Sequence, residues 1–291
     1  MSEAARELAD FFRRHSRISV VTGAGISTGS GIPDYRDRDG NWKHARPMQF
    51  AEFRDSPAGR KRYWARSFVG WQRMSGAEPN AAHRALVELE KRGHLNLLIT
   101  QNVDGLHSRA GSDGVVDLHG RLDRVICMDC GWRQRRPVWQ ALLERSNPHW
   151  RRTVLSFKPD GDAVLEDEDS SRFSVPDCPA CGGIVKPDVV FFGENVPPDR
   201  VERAYAAIVE AEALLVIGSS LMVYSGLRFP RRAAALDKPV AILNRGRTRA
   251  DELAALKLDA DCSDTLTAVL RLLGTPDSRA LGNPETHRTS V

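Results

Sequence analysis

The sequence lacks an apolar run of the roughly 18 residues that a membrane-spanning helix needs. It also lacks the apolar segment of a secretion signal near its first residue, and Glu3, Glu7 and Asp10 argue against an Arg-rich transit peptide. Neither sign of charge dominates, because 42 Lys and Arg face 38 Asp and Glu, which leaves a formal charge of +4. This small, scattered excess does not indicate nucleic-acid binding. We therefore expect a cytoplasmic protein that binds neither membranes nor nucleic acid.

Cysteine is scarce, with five in 291 residues, and four of them form the pairs Cys127-x-x-Cys130 and Cys178-x-x-Cys181. Disulfides are not expected in a chain without an export signal, and a redox dithiol needs only one pair. Two such pairs supply the four thiolates of a tetrahedral Zn²⁺ site. We predict one structural zinc ion per chain, because four protein ligands leave no open position for catalysis. The remaining cysteine, Cys262, is typical of a small buried side chain.

The dinucleotide fingerprint Gly-x-Gly-x-x-Gly is incomplete in this chain. After an apolar strand at 18–21, Gly23 and Gly25 fit the first two positions, but Thr28 occupies the third. Glycines let a backbone approach a ligand closely, and a strand followed by a loop and a helix favours phosphate binding. We interpret this loop as a nucleotide site, with a surface turn as the alternative.

Several short apolar runs alternate with helical patterns, at 18–21, 95–100, 115–118, 214–217 and 240–243. This alternation predicts an α/β fold with a Rossmann-like parallel sheet that helices cover on both faces. Polar residues follow the runs, among them Gln101, His119, Ser219 and Asn244. Because the carboxyl ends of parallel strands meet at one edge of a sheet, we expect these loops to converge on one crevice.

The remaining segments predict the domain organisation. The Rossmann-like nucleotide-binding domain would be discontinuous, formed by residues 1–36, 77–122 and 187–274. A helical cap module would occupy 37–76, where arginine and aromatic residues show only short helical periodicities, and a zinc-binding module would occupy 123–186. The polar, aperiodic residues 275–291 predict a disordered tail. The long insertion between the two cysteine pairs either folds over the site or is a surface excursion.

Together these motifs resemble the sirtuins, a family of NAD-dependent protein-lysine deacylases. The resemblance covers residues 18–273 and rests on motifs in a set order: Gly23-Ala24-Gly25-Ile26-Ser27, Gly31-Ile32-Pro33-Asp34-Tyr35-Arg36, Thr100-Gln101-Asn102-Val103-Asp104, Leu118-His119-Gly120, the cysteine pairs, Lys186 to Glu194, Gly218-Ser219-Ser220 and Asn244-Arg245-Gly246. The stretch from Arg62 to Trp71 and the long insertion look most like the class II, mitochondrial-type branch.

The resemblance implies that NAD is consumed as a co-substrate, and it implies a set of binding residues. The residues that would hold NAD are Gly23, Ala24, Gly25, Ser27, Pro33, Asp34, Tyr35, Arg36, Gln101, Asn102, Asp104, Gly218, Ser219, Ser220, Asn244, Arg245, Gly246 and Cys262. The residues that would pair with the substrate backbone as an added strand are Val189, Val190, Phe191, Phe192, Gly193 and Glu194.

The same resemblance implies the catalytic roles of His119, Asn102 and Asp104. The acyl oxygen of the substrate lysine attacks the ribose as nicotinamide leaves, and His119 acts as the general base that takes a proton from a ribose hydroxyl. Asn102 and Asp104 position the nicotinamide and its ribose. A histidine suits this role because its ordinary pKa is near 6.5. The alternative is a histidine that only stabilises a turn at the end of a strand.

Tyr63 and Arg66 lie three residues apart, so on a helix they share one side. Sirtuins that remove succinyl or glutaryl groups read the acyl carboxylate with such a pair, in which arginine binds bidentately. The hypothesis is a preference for acidic or branched acyl groups. The alternative is a packed aromatic ring beside a solvated arginine, since the spacing from Arg66 to Pro79 is long for those enzymes.

The function predicted from the sequence is NAD-dependent deacylation of acyl-lysine proteins or peptides by a monomeric enzyme. The reaction would remove acetyl groups, or larger or acidic acyl groups, and release nicotinamide and O-acyl-ADP-ribose. Two alternatives remain open: a protein mono-ADP-ribosyltransferase that uses the same site, and an NAD-sensing binding module. The presence of Asn102, Asp104 and His119 argues against the binding module.

Overall fold

The computed structural model describes residues 2–43, 47–167 and 169–274. The disordered tail predicted for 275–291 lies outside the described residues. In chain order the elements are α1 (Glu3–Arg14), β1 (Ile18–Thr22), α2 (Phe50–Asp55), α3 (Pro57–Gly76), α4 (Ala81–Lys91), β2 (Leu95–Thr100), α5 (Leu106–Ala110), β3 (Val115–Asp117), β4 (Gly120–Cys127), β5 (Arg133–Arg135), α6 (Arg136–Ser146), β6 (Val154–Phe157), β7 (Ala163–Leu165), β8 (Val185–Val189), α7 (Pro198–Glu210), β9 (Ala213–Ile217), α8 (Tyr224–Ala234), β10 (Val240–Leu243), β11 (Leu256–Leu258) and α9 (Cys262–Leu273), with short 3-10 helices at Ala24–Ser30 and Asp251–Leu253.

A six-stranded parallel sheet forms the larger part of the molecule, in the strand order β11-β10-β9-β1-β2-β3. The chain first moves from β1 to β2 and β3 on one side, and it later places β9, β10 and β11 on the other. The carboxyl ends of β1 and β9 therefore flank the point at which the strand order reverses. Open α/β sheets bind their ligands at such a point.

Helices cover both faces of this sheet, as the apolar strand runs predicted. On one face, α1, α4 and α9 bury a cluster that includes Phe11, Phe12, Leu86 and Leu266. On the other face, α7 and α8 bury a second cluster around Phe229 and the sheet residues beneath it. Each fully buried side chain of this size contributes about 1.5–3 kcal/mol of hydrophobic free energy. The predicted α/β class is confirmed.

A smaller lobe is built around the antiparallel sheet β5-β4-β8 and the helices α3 and α6. Its core is aromatic: the rings of Trp64 and Trp139 lie 5.5 Å apart with their planes inclined by 55°, and Phe173 is fully buried. The region 37–76, where the sequence shows only short helical periodicities, contains α3, a helix of 20 residues. Buried residues lie on more than one side of α3, so its apolar positions do not form a single stripe that sequence periodicity would reveal.

The insertion between the cysteine pairs contains the hairpin β6–β7, which returns to α3. The hairpin tip approaches α3 so closely that a Cβ atom on Gly70 would overlap the carbonyl oxygen of Gly161. Gly161 itself has a φ of +80°, which glycine adopts without strain. The insertion is thus packed against the body of the protein. Within the described residues, none of the helices has both the length and the apolar character needed to cross a membrane.

Candidate active site

A cavity of about 200 Å³ opens where the carboxyl ends of the central strands meet. Most of the residues that the sequence resemblance assigns to NAD line it together: Gly23, Ala24, Gly25, Ser27, Asp34, Tyr35, Arg36, Gln101, Asn102, Asp104, Gly218, Ser219, Ser220, Asn244 and Arg245. His119 and Tyr63 line the same cavity. The loops after β1, β2, β9 and β10 therefore converge, as expected for an open parallel sheet.

Three of the residues assigned to NAD lie away from this cavity. Pro33 lines a separate shallow depression, and Gly246 donates its N–H to Asp259 at 3.2 Å. Cys262 is buried in the hydrophobic core at the start of α9, where burial raises the pKa of its thiol to about 12. Cys262 therefore packs as the small buried side chain that its isolation in the sequence predicts.

Glycines allow the loops after β1 and β9 to pack in close contact. A Cβ atom on Gly23 would lie 2.7 Å from Cβ of Ser219, and one on Gly25 would lie 2.9 Å from the carbonyl oxygen of Gly218. The N–H of Gly25 donates to that same oxygen at 2.8 Å. The predicted helix after the loop is a seven-residue 3-10 segment, Ala24–Ser30, so the contribution of an α-helix dipole is not available here.

A polar network joins the tips of β1 and β2. The side-chain amide of Asn102 donates to the carbonyl oxygen of Gly23 and to Oγ of Ser27, both at 3.1 Å. Ser27 in turn donates to Oδ2 of Asp104 at 2.8 Å, and Oδ1 of Asp104 accepts the N–H of Leu106 at 2.9 Å. Burial raises the pKa of Asp104, while these two hydrogen bonds partly oppose the shift. The network holds Asn102 and Asp104 in place at the cavity wall.

His119 is held by hydrogen bonds at both ring nitrogens. Its Nδ1 lies 2.8 Å from the carbonyl oxygen of Gln101, and its Nε2 lies 2.9 Å from Oγ of Ser225. A carbonyl oxygen only accepts, so these partners assign the proton to Nδ1 and leave Nε2 as the basic atom. Burial lowers the pKa of His119 to about 4, and the charges of Arg200 and Arg228 also lower it. The ring is therefore neutral at physiological pH.

Ser225 was not identified from the sequence. It lies in the first turn of α8, where a serine is ordinarily read as part of a helix start. Its hydroxyl reaches His119 across a separation of 106 residues through the tertiary placement of α8, and no pattern in the sequence signals that contact.

The segment after β8 passes beside His119. Val189, Val190, Phe191 and Phe192 line the cavity, and the N–H of Val190 donates to the carbonyl oxygen of His119 at 2.8 Å. Gly193 and Glu194 do not line it. Glu194 instead bonds Nζ of Lys186 at 2.7 Å and accepts the N–H of Phe191 at 2.9 Å. Glu194 thus supports this segment through hydrogen bonds and does not line the cavity.

Tyr63 and Arg66 lie differently with respect to the cavity. Tyr63 lines it and packs 5.3 Å from the ring of Phe191, whereas Arg66 is not among the lining residues. The guanidinium of Arg66 lowers the pKa of Asp160 and Asp162, so it lies near those carboxyl groups.

The hairpin tip supplies part of the cavity wall, through Pro159, Asp160 and Asp162. The insertion therefore folds over the site, which decides between the two alternatives that the sequence left open. These residues were not identified from the sequence, although Lys158-Pro159-Asp160-Gly161 is a turn pattern that marks the hairpin.

The four paired cysteines come together at the end of β4. Their sulfur atoms all lie within 4.8 Å of one another, with Cys127 to Cys181 at 3.6 Å and Cys130 to Cys178 at 3.8 Å. A tetrahedral zinc ion with Zn–S bonds of about 2.3 Å places its sulfurs about 3.8 Å apart. The donor set and its spacing fit zinc. The N–H groups of Gly131 and Gly182 donate to the carbonyl oxygens of Cys127 and Cys178, which tightens both turns.

Comparison with known proteins places this geometry in context. A profile of the Sir2 family matches residues 23–225. The NAD-dependent protein deacetylase of Bordetella bronchiseptica is 56% identical over 263 residues, which span 90% of this chain and 96% of that protein. The mitochondrial NAD-dependent protein lipoamidase sirtuin-4 of Bos taurus is 48% identical over 270 residues, which span 92% of this chain and 86% of that protein. A solved structure of Sir2 with a p53 peptide and NAD⁺ superimposes with a TM-score of 0.75 at 30% identity, covering 94% of this chain and 98% of that one.

Proposed function

This chain belongs to the Sir2 family of NAD-dependent protein deacetylases, and we propose that the cavity around His119 removes acyl groups from lysine side chains. The observation that carries the proposal is the state of His119. It is a neutral imidazole with its basic Nε2 directed to a hydroxyl group, in a cavity whose other walls come from the glycine loop and from the segment after β8. A positioned base of this kind is typically worth about 10² to 10⁴ in rate.

The residues around the cavity fit NAD. When bound, NAD supplies a ribose carbon that becomes electrophilic as neutral nicotinamide leaves. We propose that the contact of Gly23 and Gly25 with the β9 loop forms the cradle for the diphosphate, because side chains there would fill it. Asn102 and Asp104 would orient the nicotinamide end. Ser219 and Asn244, at the tips of β9 and β10, would hold the adenosine end.

The role proposed for His119 is to accept a proton at Nε2 from a ribose hydroxyl. The bond from Nδ1 to Gln101 keeps the ring in the tautomer that this transfer needs. The acyl group then passes from the lysine nitrogen to that hydroxyl oxygen. With one water consumed, the products are the free lysine, nicotinamide and O-acyl-ADP-ribose.

The proposed peptide site is the segment Val189–Phe192, next to the cavity. Within this segment Phe191 packs on Tyr63 and Phe53, so the segment is supported from the side of the helical module. An extended peptide that pairs with it as an added strand would bring an acyl-lysine towards His119. We propose Glu194 and Gly193 as supports of this segment and not as peptide contacts.

We further propose that the chain belongs to the class II, mitochondrial-type branch and accepts acyl groups larger than acetyl. The similarity to the bovine sirtuin-4, which is named a lipoamidase, supports this assignment. The hairpin that reaches the cavity gives it a wall with which a longer acyl group could make contact.

We also propose the domain division expected from the sequence: a nucleotide-binding domain, a helical module and a zinc module.

The test is to incubate the protein with NAD and with peptides that carry acetyl-, lipoyl- or glutaryl-lysine, and to follow all products by mass spectrometry. Deacylated peptide and O-acyl-ADP-ribose in equal amounts would support the proposal. An acceptor protein that gains the mass of ADP-ribose, without O-acyl-ADP-ribose, would indicate transferase activity instead. NAD that binds but is not consumed would indicate a binding module.

A further inference from the structure

The tip of the hairpin β6–β7 places two carboxyl groups at the wall of the cavity. Asp160 and Asp162 both line it, on either side of Gly161. The turn is closed by hydrogen bonds from the N–H of Lys158 to the carbonyl oxygen of Asp162 at 2.9 Å, and from the N–H of Gly161 to the carbonyl oxygen of Lys158 at 3.1 Å. The tip is thus an ordered turn that presents both side chains.

The tip packs on the face of α3 that carries Tyr63. Tyr63, Gly70 and Met74 are spaced by seven and four residues, which places them on one side of a helix. Gly161 meets this face at Gly70, and a Cβ atom on Gly161 would lie 3.1 Å from Cε of Met74. The two carboxyl groups therefore lie on the Tyr63 side of the cavity, beside Phe191 of the proposed peptide segment.

Asp162 has an unsatisfied atom at this wall. Its exposed fraction is 6%, and within the described part of the chain Oδ1 has no hydrogen-bond partner. The backbone N–H of Asp162 donates to Oδ1 of Asp160 at 3.2 Å, which holds the Asp160 side chain against the turn. A buried oxygen without a donor costs about 1–3 kcal/mol, so a ligand that supplies a donor would recover that free energy.

The surroundings of the pair change how readily the two carboxyl groups ionise. Burial raises the pKa of both aspartates, and for Asp162 the charge of Asp160 raises it further. Lys158 and Arg66 lower both pKa values but do not cancel the shift. The carboxyl oxygens of both residues, and the unpartnered Oδ1 of Asp162 in particular, offer acceptors to a ligand in the cavity.

We propose that Asp160 and Asp162 are specificity-determining residues that select acyl groups whose far end carries a hydrogen-bond donor and that reject acyl groups ending in a carboxylate. The inference rests on the proposed deacylase function, since it concerns the acyl group held at the same site. It opposes the preference for acidic acyl groups that Tyr63 and Arg66 suggest in the sequence. A carboxylate on the acyl group brings only acceptor oxygens and would have to lose its water beside the acceptor oxygens of the pair, and a mismatch of this kind is an effective source of specificity.

A matched pair of substrates tests the proposal. One peptide carries glutaryl-lysine, and the other carries the same acyl group with its terminal carboxylate converted to a primary amide. The two are almost identical in shape, but the amide is uncharged and donates two hydrogen bonds. For the wild-type protein we expect kcat/KM to be at least about tenfold higher for the amide, because sites that read a donor discriminate strongly.

Two variants connect this ratio to the aspartates. Asp162→Asn and Asp160→Asn keep the size of the side chain, remove negative charge and add a donor that favours a carboxylate. We expect either variant to lower the preference for the amide to less than about threefold, mainly by improving the glutaryl substrate. Asp167→Asn, on the exposed part of the same insertion, is the control and should keep the wild-type ratio. Circular dichroism melting curves check that each variant is folded.

The outcomes separate this inference from the proposed function. A wild-type protein that removes acetyl groups but prefers glutaryl-lysine, or treats both substrates alike, would overturn the role of the aspartates alone. So would an amide preference that persists in both folded variants. If no acyl-lysine peptide, including the acetyl one, is turned over with NAD, the proposed function fails first and this inference fails with it.

Discussion

Oγ of Ser225 lies 2.9 Å from Nε2 of His119, the atom that we propose as the general base. Ser225 belongs to α8, whereas His119 follows β3, so the contact joins the two halves of the nucleotide-binding sheet. The hydroxyl donates to the lone pair that must accept the ribose proton. A bound substrate hydroxyl therefore has to share or replace this hydrogen bond.

The first prediction separates the base from its neighbour. Ser225→Ala should lower kcat/KM by less than about tenfold, because the hydroxyl positions the ring but does not transfer the proton. His119→Ala should lower kcat/KM by a factor of about 10² to 10⁴. Steady-state measurement of nicotinamide release with an acetyl-lysine peptide gives both values. Equal losses in the two variants would mean that Ser225 takes part in the proton transfer.

The pH dependence of the reaction tests the burial of His119. Because its pKa is lowered to about 4, the basic form is already fully populated between pH 6 and 8. We expect kcat/KM to stay level as the pH falls from 8 to 6, and to decline only below about pH 5. Samples returned to pH 7.5 control for unfolding. A midpoint near pH 6.5 would show that His119 has an ordinary pKa in the free enzyme.

The pair His83 and His107 predicts how stability depends on pH. Both rings are buried, 4.7 Å apart, and burial lowers the pKa of His83 to about 4. The unfolded chain binds a proton at His83 below about pH 6.5, but the folded chain does not, so stability falls as the pH drops from 6.5 towards 4. Lowering the pH from 7.5 to 5.5 should therefore reduce the free energy of unfolding by about 1 kcal/mol through His83.

The variant His83→Gln isolates that contribution. Glutamine at this position can still accept the N–H of Asn80 and keep the capping box of α4. Urea unfolding at the two pH values should show a smaller decrease for the variant than for the wild type. An identical decrease would assign the acid sensitivity to other groups.

The ion pair between Lys186 and Glu194 should matter for peptide binding more than for NAD binding. The side chains are 9% and 21% exposed, and Glu194 also holds the N–H of Phe191. Glu194→Gln leaves the Lys186 charge without its partner, which costs about 3 kcal/mol of stability for a buried pair. We expect KM for the peptide to rise several-fold more than KM for NAD.

Asp10→Asn is the matched control for this variant, since the pair Asp10–Arg13 is largely exposed. Exposed pairs contribute about 0–1 kcal/mol, so neither KM nor the melting temperature should change appreciably. A Glu194→Gln protein with unchanged peptide KM would show that the segment after β8 does not depend on this brace.

Removal of zinc should destabilise the smaller lobe. The cysteine site joins β4 to the chain before β8, and structural zinc contributes directly to folding free energy. Cys130→Ser should lower the zinc content well below one ion per chain and reduce the melting temperature. Cys262→Ser is the control, because Cys262 lies in the core of the large domain and should leave the zinc content unchanged.

The sheet and its site could be predicted from the sequence because both depend on short-range patterns. The strands Leu95–Thr100 and Val240–Leu243 coincide with their apolar runs, since a buried parallel strand is apolar along its whole length. The residues that follow these strands reach one cavity as a consequence of parallel topology. The start of α4 also follows a short-range pattern, because the side chain of Asn80 caps the helix by accepting the N–H of Ala82.

The parts that were missed depend on contacts between distant segments. Ser225 reaches His119 only through the placement of α8, and Asp160 and Asp162 reach the cavity only because Gly70 admits the hairpin tip. Cys262 belongs to the core cluster under α9, and its assignment to NAD stays a prediction from the family resemblance. Motifs predicted the shared chemistry, whereas the cavity wall at Pro159, Asp160 and Asp162 comes from an insertion without a motif.

The central claim is that His119 serves NAD-dependent deacylation, and one measurement tests it most directly. Wild type and His119→Ala are incubated with NAD and an acetyl-lysine peptide, and nicotinamide, O-acetyl-ADP-ribose and free lysine peptide are quantified by mass spectrometry. We expect equal amounts of the three products for the wild type, and rates of formation about 10² to 10⁴ times lower for the variant. Undiminished deacetylation by a folded His119→Ala protein, or nicotinamide release without O-acetyl-ADP-ribose in the wild type, would contradict it.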